Sequence, residues 1–444
     1  FPSVSAGWRV SQEPFWKVPE EIFSNLKVRA SYGSLGNGNI DPYSFQELFK
    51  IKQSSLVLNG IRPQYTGQPA VIPLGLTWEK STTLNLGLDF AFLSNRLQFS
   101  GDIYQRKTTD MFTVGMSLPA VFGTDVPKGN YADLTTKGFE LSVSWRDQFQ
   151  LASKPFNYEV RFTLADYQST IDKYNNPEKK LGDDYYYEGM KVGEIWGYET
   201  EGFFTSQADI DSHAKQPYFY AGATAGQWLP GDIKFKDLNG DGVIDYGNNP
   251  VDNPGDQKII GNSEPRFIYG INLSGDWNNF FVSAFFQGVG KQDWWPGSEA
   301  SYFWGMYNRP YNDMPKSHLG NIWTEENPNT YFPRLRGYSS EEPYAELNLK
   351  QTRYLKNIAY IRMKNIQLGY TLPKSFISKL RMQNAKVYVS GENLWSWSPF
   401  YKYSKDLDVE AVRGSDRDLT EGTSGNGYSY PILKSVSFGL SVTF

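Results

Sequence analysis

The chain ends in Val436-Ser-Phe-Gly-Leu-Ser-Val-Thr-Phe444, nine residues in which apolar side chains alternate with small or polar ones. Successive side chains of a β-strand point to opposite faces of a sheet, so this segment predicts a strand with one apolar face and one polar face. An apolar face suits hydrocarbon and a polar face suits a water-filled lumen, as in the wall of an outer-membrane barrel. A half-buried strand of a soluble sandwich has the same pattern, so the interpretation depends on whether the pattern recurs.

The alternation recurs in segments about as long as a tilted membrane-spanning strand, which needs roughly 9–11 residues. Residues 83–92 alternate and turn at Ser94-Asn95 into a second strand, and another hairpin turns at Trp277-Asn-Asn279. Further segments are 4–10 and 26–32, with apolar rows at Phe139, Leu141, Val143 and Trp145, at Tyr158, Val160 and Phe162, at Ile366, Leu368, Tyr370 and Leu372, and at Val387 and Val389. The sequence therefore predicts an all-β chain of about a dozen antiparallel strands.

The composition agrees with a barrel and excludes several other classes of protein. Hydrophobic residues make up 39% of the chain and mean hydropathy is -0.52, whereas a transmembrane helix needs ~20 consecutive apolar residues. Aromatic residues reach 16%, with 30 Tyr, 29 Phe and 13 Trp, and membrane barrels place such residues in girdles. A sugar-binding β-protein with exposed tryptophans is the alternative. The absence of cysteine excludes disulfides and thiolate chemistry, and a net charge of -4 gives no basic field for nucleic acid.

Short turns in this sequence alternate with very long connections. Barrels of this type have short periplasmic turns and longer extracellular loops. The long polar stretches, which are rich in Gly, Pro, Asn and aromatic residues, are 33–80, 105–135, 167–265 and 288–356. Connections this long are usually functional or carry structure of their own. They predict an extracellular surface large enough to hold a ligand or a partner protein.

One long connection contains a motif typical of calcium-binding loops, Asp237-Leu-Asn239-Gly-Asp241-Gly242-Val243-Ile-Asp245. An EF-hand-type loop has oxygen ligands at positions 1, 3, 5 and 9, a backbone carbonyl at position 7, and a glycine at position 6 for the sharp turn. The motif matches each of these positions. It predicts a calcium ion bound by the side chains of Asp237, Asn239, Asp241 and Asp245 and by the carbonyl of Val243.

The motif departs from the EF-hand pattern at position 12, where Asn248 stands in place of a bidentate acid. Asp252 or Asp256 can supply that ligand if residues 246–255 form an insertion, and we favour Asp256. No amphipathic helices flank the loop, so we expect calcium to stabilise the segment 237–256 and not to act as a sensor. The alternative is a metal-free turn, because Asp, Asn and Gly also dominate ordinary turns.

Aromatic residues cluster in the polar stretch 288–356, where no strand face requires them. The candidate substrate-binding residues are Trp294, Trp295, Trp304 and Trp323, with Tyr307 and Tyr311 nearby and with Asp293 and Asn308 as hydrogen-bonding groups. Flat aromatic faces suit the C–H face of a sugar ring, and a few polar groups can then fix its orientation. The alternatives are that these rings form a girdle, pack the loops together, or lie against a partner protein.

Catalysis is the competing class of function, and the sequence offers little for it. The two histidines, His213 and His318, lie in polar connections without a nucleophile motif and are expected to be solvent-exposed. A carboxylate pair such as Asp110 with Glu140 is an alternative for glycoside hydrolysis, which requires two acids at a defined separation. We predict no catalytic residues and no enzymatic activity.

Several segments taken together resemble one family, the SusC-like TonB-dependent outer-membrane transporters of Bacteroidetes, in their C-terminal half. Each segment alone is a weak signal, but their order and spacing are specific. They are Phe1-Pro-Ser-Val-Ser-Ala-Gly-Trp-Arg9, Leu26-Lys-Val-Arg-Ala-Ser-Tyr-Gly-Ser-Leu-Gly36, Lys137-Gly-Phe-Glu140, Gly231–Asp245, Ile259-Ile-Gly261, Tyr360–Pro373, Ser390-Gly-Glu-Asn-Leu394 and the terminal Phe444.

The resemblance implies a 22-stranded membrane-spanning antiparallel β-barrel closed by an N-terminal plug, in the bacterial outer membrane. Such a transporter imports oligosaccharides or oligopeptides actively: a SusD-like surface lipoprotein closes over its mouth and the TonB complex acts on the plug. The loop aromatics favour a glycan ligand. An oligopeptide importer, a passive channel and an adhesin are the alternatives, and a dimer of the transporter–lipoprotein pair stays open.

This chain has about half the strands of such a barrel. We therefore expect residues 1–444 to be the C-terminal part of the barrel, about twelve strands, with structured extracellular loop regions at 167–265 and 288–356 and with the plug absent from this chain. Polar positions facing the lumen are expected to contact either the substrate or the plug. They are Asn85, Asp89, Asp102, Glu140 and Arg161.

Overall fold

The computed structural model describes residues 1–38, 46–67, 69, 71–72, 75–115, 121, 126–182, 185–217, 228–297, 300–311, 314–341, 345–412 and 430–444. Its largest element is an 11-stranded antiparallel sheet in which neighbours in space follow chain order. The strands of this sheet are β1 (Ser3–Arg9), β2 (Phe23–Asn37), β5 (Glu79–Phe92), β6 (Leu97–Val114), β7 (Lys128–Leu151), β8 (Lys154–Lys173), β13 (Arg266–Trp277), β14 (Phe280–Lys291), β17 (Tyr360–Thr371), β18 (Asn384–Trp397) and β19 (Ser435–Thr443). This up-and-down order confirms the predicted hairpin architecture.

Short strands and helices lie in the connections. Four two-stranded sheets are formed by β3 (Ile51–Gln53) with β4 (Gln64–Thr66), β9 (Glu194–Tyr198) with β12 (Gln257–Asn262), β10 (Thr200–Phe203) with β11 (Ile233–Phe235), and β15 (Asp293–Trp294) with β16 (Lys356–Asn357). The described α-helices are α1 (Gln207–Ser212), α2 (Ser301–Trp304) and α3 (Lys374–Ile377). Within the described ranges, no helix has both the length and the apolar character needed to cross a membrane.

One face of the large sheet is apolar and exposed. The side chains of Leu86 and Phe438 are 47% and 86% exposed although both are large and hydrophobic. The register places these residues beside similar ones: Leu86 pairs with Ile103, and Phe438 pairs with Val389. The apolar rows therefore join across neighbouring strands into a continuous belt, as a lipid-facing wall requires. This confirms the alternation predicted from the sequence.

Tight turns close the hairpins at one end of the sheet. Asn278 and Asn279 have φ values of 48° and 72°, and Ala152 and Ser153 have values of 49° and 62°. Two consecutive residues with positive φ give the turn whose twist matches that of paired strands. The flanking pair Trp277 and Phe280 is in register, as the sequence predicted.

Several strands are longer than the sequence predicted. The stretch 105–135, assigned to a loop, belongs mostly to β6 and β7, and only residues 115–127 connect them. At about 3.4 Å per residue, the 24 residues of β7 exceed any bilayer. Beyond the membrane both faces of a strand meet water, so the apolar alternation stops while the strand continues. A further long connection, 398–434, was not predicted.

Glycines on the polar face make room for a tyrosine ring. Tyr388 of β18 pairs with Gly369 on one side and Gly439 on the other. A Cβ atom built on Gly439 would lie 2.1 Å from Cζ of Tyr388, a distance that real atoms do not adopt. The glycine in the terminal strand is therefore required by this close approach.

The hydrophobic core lies mainly in the long connections, and of its buried members Val289 and Tyr360 belong to β14 and β17 of the large sheet. Its buried members include Phe204, Ile233, Trp304, Tyr354 and Phe400. They come from the connections 174–265, 292–359 and 398–434, which join strands at the same end of the sheet. We call these three connections the loop assembly. Because the described parts of these connections share one core, they pack together as one structure.

Candidate functional site: the loop assembly

The tryptophans predicted to bind substrate are largely buried in the loop assembly. Trp304 is completely buried, with its ring 5.1 Å from that of Tyr354. Its Nε1 donates to the carbonyl oxygens of Pro296 and Gly297 at 3.1 and 3.0 Å. Trp294 meets Phe303 and Phe400 edge to face. Rings packed in this way present little free surface to a ligand, because they lie against other aromatic rings.

The other two candidate tryptophans differ in exposure. Trp323 is buried beneath Gly231, where a Cβ atom would lie 2.4 Å from its ring. Trp295 is half-buried and packs beside Trp304 at 6.2 Å between ring centroids. Trp294 and Trp304 are thus buried members of one core and Trp295 packs against it, which favours the alternative that these rings pack the loops together.

A buried cluster of charged side chains joins two of the three connections. Asp232 is completely buried and accepts hydrogen bonds from Arg334 Nε at 2.6 Å and Arg336 Nε at 2.8 Å. Glu346, also completely buried, accepts the backbone N–H of Ile233 at 2.8 Å. Burial raises the pKa of Glu346, opposed by the nearby arginines. A buried charge that loses its partner destabilises the fold. The cluster therefore favours the one arrangement of the two connections in which all its charges are paired.

The calcium-type loop folds as a series of side-chain-to-backbone turns. The two carboxylate oxygens of Asp237 accept the N–H groups of Gly240 and Gly242 at 2.6 and 2.9 Å. Asp241 accepts the N–H of Val243 at 2.8 Å. Gly242 has a φ of 83°, which explains why the sharp turn uses glycine. The carboxylate oxygens of the loop therefore hold its backbone turns.

Asp256 completes this loop, and Asp252 does not. Asp256 is completely buried and accepts the N–H groups of Leu238 and Asp245 at 2.7 and 2.8 Å, whereas Asp252 is exposed. Residues 246–255 form the predicted insertion. Burial, with a contribution from the charge of Asp237, raises the pKa of Asp256.

The donor set fits a hard cation by chemical type. A carboxylate oxygen that accepts one N–H has a second lone pair for a metal ion, and a cation would also relieve the mutual repulsion of Asp237 and Asp256. Within the described residues, however, no group of three or more Asp, Glu, His or Cys side chains converges as metal ligands. To bind a calcium ion, the carboxylates of this loop would thus have to turn inward, or amide and carbonyl oxygens would have to complete the set of ligands.

The sequence suggested that both histidines are solvent-exposed, and the structure shows that neither is fully exposed. His318 is completely buried, and its Nε2 lies 2.9 Å from the carbonyl oxygen of Phe303. Burial lowers the pKa of this imidazole. His213 is half-buried, with Nε2 2.8 Å from the carbonyl oxygen of Phe235. Both rings bind backbone carbonyls, which is a structural arrangement.

The carboxylate pair considered for hydrolysis is far apart. Glu140 of β7 lies opposite Asp102 of β6, and Asp110 is eight positions farther along β6. At about 3.3 Å per residue that separation is roughly 26 Å, well beyond the 5–10 Å span of glycosidase acids. On the same polar face, Arg29 binds Asp89 at 2.8 Å and Asp102 at 2.7 Å.

The chain matches the family described as "TonB dependent receptor-like, beta-barrel" over residues 1–394. It belongs to this family. TonB-dependent receptor P3 of Formosa agariphila is 28% identical to this barrel chain over 466 residues, covering 100% of the chain and 42% of that receptor. TonB-dependent receptor SusC of Bacteroides thetaiotaomicron is 24% identical over 470 residues, and the match covers 100% of this chain and 40% of SusC. The predicted resemblance to SusC-like receptors is confirmed.

This TonB-dependent receptor chain spans about two fifths of the length of the curated relatives it matches. A solved structure described as the RagAB peptide transporter superposes on it with a TM-score of 0.73 at 20% identity. That superposition covers 100% of this chain and 43% of the other. At this identity the likeness shows the fold alone, and it identifies the 11-stranded sheet as part of a larger barrel.

Sequence reasoning missed the buried ionic cluster. Asp232 and Arg334 are separated by 102 residues, and no spacing rule connects acids and bases over that distance. Their burial could be inferred only after the three connections were known to share one core. The calcium-type loop, by contrast, is a local motif, and its fold follows from its own sequence.

Proposed function

We propose that this chain forms the wall and outer loops of an outer-membrane transporter that imports oligomeric nutrients using energy delivered through TonB. The family match over residues 1–394 carries the proposal. The apolar outer belt suits a membrane wall, and the packed loop assembly suits a ligand-capturing surface at the opposite end from the tight turns. In this proposal, the plug and the TonB-contacting segment belong to parts of the transporter outside residues 1–444.

The proposed ligand is an oligomer, either an oligosaccharide or an oligopeptide. The preference for a glycan rested on exposed tryptophan faces, and burial of Trp294 and Trp304 removes that support. The RagAB structure is described as a peptide transporter, which makes a peptide ligand an equal candidate. The two classes are separated by experiment, as described below.

The proposed partner is a SusD-like surface lipoprotein that closes over the loop end. The hairpin formed by β3 and β4 supports a docking surface there, because its apolar side chains are turned to solvent. Ile51, Leu56 and Ile61 are 72%, 68% and 69% exposed. Exposed apolar patches on this scale are typical of protein interaction sites.

We further propose that calcium stabilises the segment 237–256. Asp237, Asn239, Asp241 and Asp245, the carbonyl of Val243, and Asp256 would hold the ion, and its charge would offset the carboxylates gathered there. Calcium would then act on loop order and not on catalysis. Thermal stability or protease resistance with calcium and with EDTA tests this, and equal results in the two conditions would indicate a metal-free turn.

Gentle detergent purification of the native complex from outer membranes tests the importer proposal. We expect mass spectrometry to find a surface lipoprotein with the barrel, together with a bound oligosaccharide or oligopeptide that names the ligand class. Uptake of that ligand should stop when TonB is removed. Uptake that persists without TonB would indicate a passive channel, and surface binding without uptake would indicate an adhesin.

A further inference from the structure

Three cationic side chains of the loop assembly meet around two stacked tyrosine rings. The rings of Tyr331 and Tyr403 lie 5.1 Å apart at an angle of 32°. The ammonium of Lys356 is 4.9 Å from the first centroid and 4.4 Å from the second. Arg353 lies 5.9 Å from the Tyr331 ring, and Lys402 lies 4.7 Å from the Tyr403 ring. The two rings thus hold all three positive charges in one place.

These charges have no carboxylate partner in the described part of the chain. The guanidinium of Arg353 donates to the carbonyl oxygens of Tyr331 and Thr330 at 2.9 and 2.6 Å, and Lys356 donates to the carbonyl of Arg353. The ion-paired acids described in the loop assembly bind other cations. For example, Asp232 and Glu346 bind Arg334 and Arg336, and Asp408 and Glu410 bind Arg362 and Lys364.

Gathering cations that no described carboxylate compensates is unfavourable in a partly buried site. Lys356 is only 8% exposed, and a buried charge normally pairs with an opposite one. Burial and the charges of Arg353 and Lys402 lower the pKa of Lys356 to about 8. The hydroxyl of Tyr331 is also buried without a hydrogen-bond partner among the described residues. A bound anion would correct both features, by compensating the charge and accepting from the hydroxyl.

The three cations are graded from the surface inward. Lys402 is exposed, Arg353 is half-buried, and Lys356 is buried. Arg353 also stacks on Phe203 at 4.1 Å, which fixes the guanidinium plane. The N–H groups of Arg353 that do not bind the carbonyls of Tyr331 and Thr330 can donate to a carboxylate or an oxyanion. An anionic group can therefore be attracted first by Lys402 and bound deeper by the other two.

We propose that Arg353, Lys356 and Lys402 form a binding site for an anionic group, a carboxylate or a sulfate, carried by the transported oligomer. This inference rests on the proposed import function and adds the charge of the ligand to it. An acidic oligosaccharide and an acidic oligopeptide both carry that chemistry. A neutral oligomer lacks it and would gain nothing from this site.

The test uses the full transporter with its lipoprotein, in detergent, and two matched pairs of probes. One pair is an oligogalacturonide and a malto-oligosaccharide of equal length, and the other is a glutamate-containing peptide and its glutamine counterpart. Lys402→Gln removes an exposed charge without disturbing the core, and Lys405→Gln, at another exposed lysine, is the control. We expect K402Q to weaken binding of one acidic probe roughly tenfold and to leave its neutral partner unchanged. K405Q should bind like wild type.

Competitive acetylation of lysines, read by mass spectrometry, gives a second measurement that does not depend on transport. The acidic probe, or inorganic sulfate, should slow labelling of Lys356 and Lys402 but not of Lys405. Equal labelling with and without these anions, or equal weakening of acidic and neutral probes by K402Q, would overturn the anion site. Loss of TonB-dependent uptake is a separate result, so the import proposal stands or fails on its own.

Discussion

Oδ2 of Asp256 accepts the backbone N–H of Asp245 at 2.8 Å, and the N–H of Asp256 donates in return to the carbonyl oxygen of Asp245 at 2.9 Å. This reciprocal pair closes the calcium-type loop and sets the insertion 246–255 outside it. The loop therefore depends on one buried carboxylate.

Replacing that carboxylate by an amide tests its role. Asp256→Asn would turn an N–H₂ group toward one of the two backbone donors, at a cost of about 1–3 kcal/mol. We expect faster protease cleavage within 237–256 and weaker protection by calcium, measured by mass spectrometry of timed digests. Asp252→Asn, at an exposed position, should digest like wild type. Identical digestion of both variants would contradict the role given to Asp256.

The buried imidazole of His318 predicts that the loop assembly loosens in acid. Burial lowers its pKa below the ordinary 6.5, so the unfolded loop takes up a proton that the folded loop excludes. The stabilising contribution is complete above about pH 6.5 and decreases as the pH falls below that value. The protection factors of amides in residues 300–332, which correct for the slower intrinsic exchange in acid, should be smaller at pH 5 than at pH 7.5. His318→Gln, which does not titrate, should show a smaller difference, and an unchanged difference would refute this cause.

Removal of the Trp304 ring should disorder the loops and leave the sheet assembled. Trp304→Ala opens a cavity at the centre of the core, which costs roughly 3–5 kcal/mol in other proteins. Because most of the core lies in the connections and it includes only the ends of β14 and β17 among its buried sheet residues, we expect protease-sensitive loops on a barrel that still migrates as a folded species on unheated gels. Leu319→Ala is the control, since that side chain is 66% exposed. Loss of the folded species in the Trp304 variant would show that the sheet depends on the loops.

Close contact between Gly439 and Tyr388 predicts a specific folding defect and its rescue. Gly439→Ala places a methyl group where the tyrosine ring lies, so the terminal strand should pair poorly and less folded barrel should accumulate in the membrane. Adding Tyr388→Ala removes the ring and should restore assembly. If the double variant assembles no better than the single one, steric contact is not the reason for this glycine.

Features of the strand wall could be predicted from the sequence because contact with lipid constrains the polarity of each side chain independently of distant residues. Alternation at 436–444 and the asparagine pair at 278–279 each reflect a local constraint, on side-chain polarity and on backbone φ. The calcium-type loop was predictable for the same reason. Above the membrane that constraint ends, so the outer parts of β6 and β7 resembled loops.

Features of the loop assembly could not be predicted because they depend on distant partners. Trp304 resembled an exposed aromatic residue until Phe303, Trp295 and Tyr354 were placed around it. His318 resembled a surface histidine for the same reason. Asp232 and Arg334 meet across 102 positions, and Arg353 and Lys402 come from different connections. Polar composition identified these stretches as loops, and only the fold shows that they have an interior.

β7 is long enough to extend well past a membrane. Its 24 residues, at about 3.3 Å each and tilted by about 40°, rise roughly 60 Å, more than twice the ~25 Å apolar band of such a wall. The long hairpin of β6 and β7 therefore extends beyond the lipid headgroups. Capture at that height would take place in open water, where arriving molecules meet the protein before they meet the membrane.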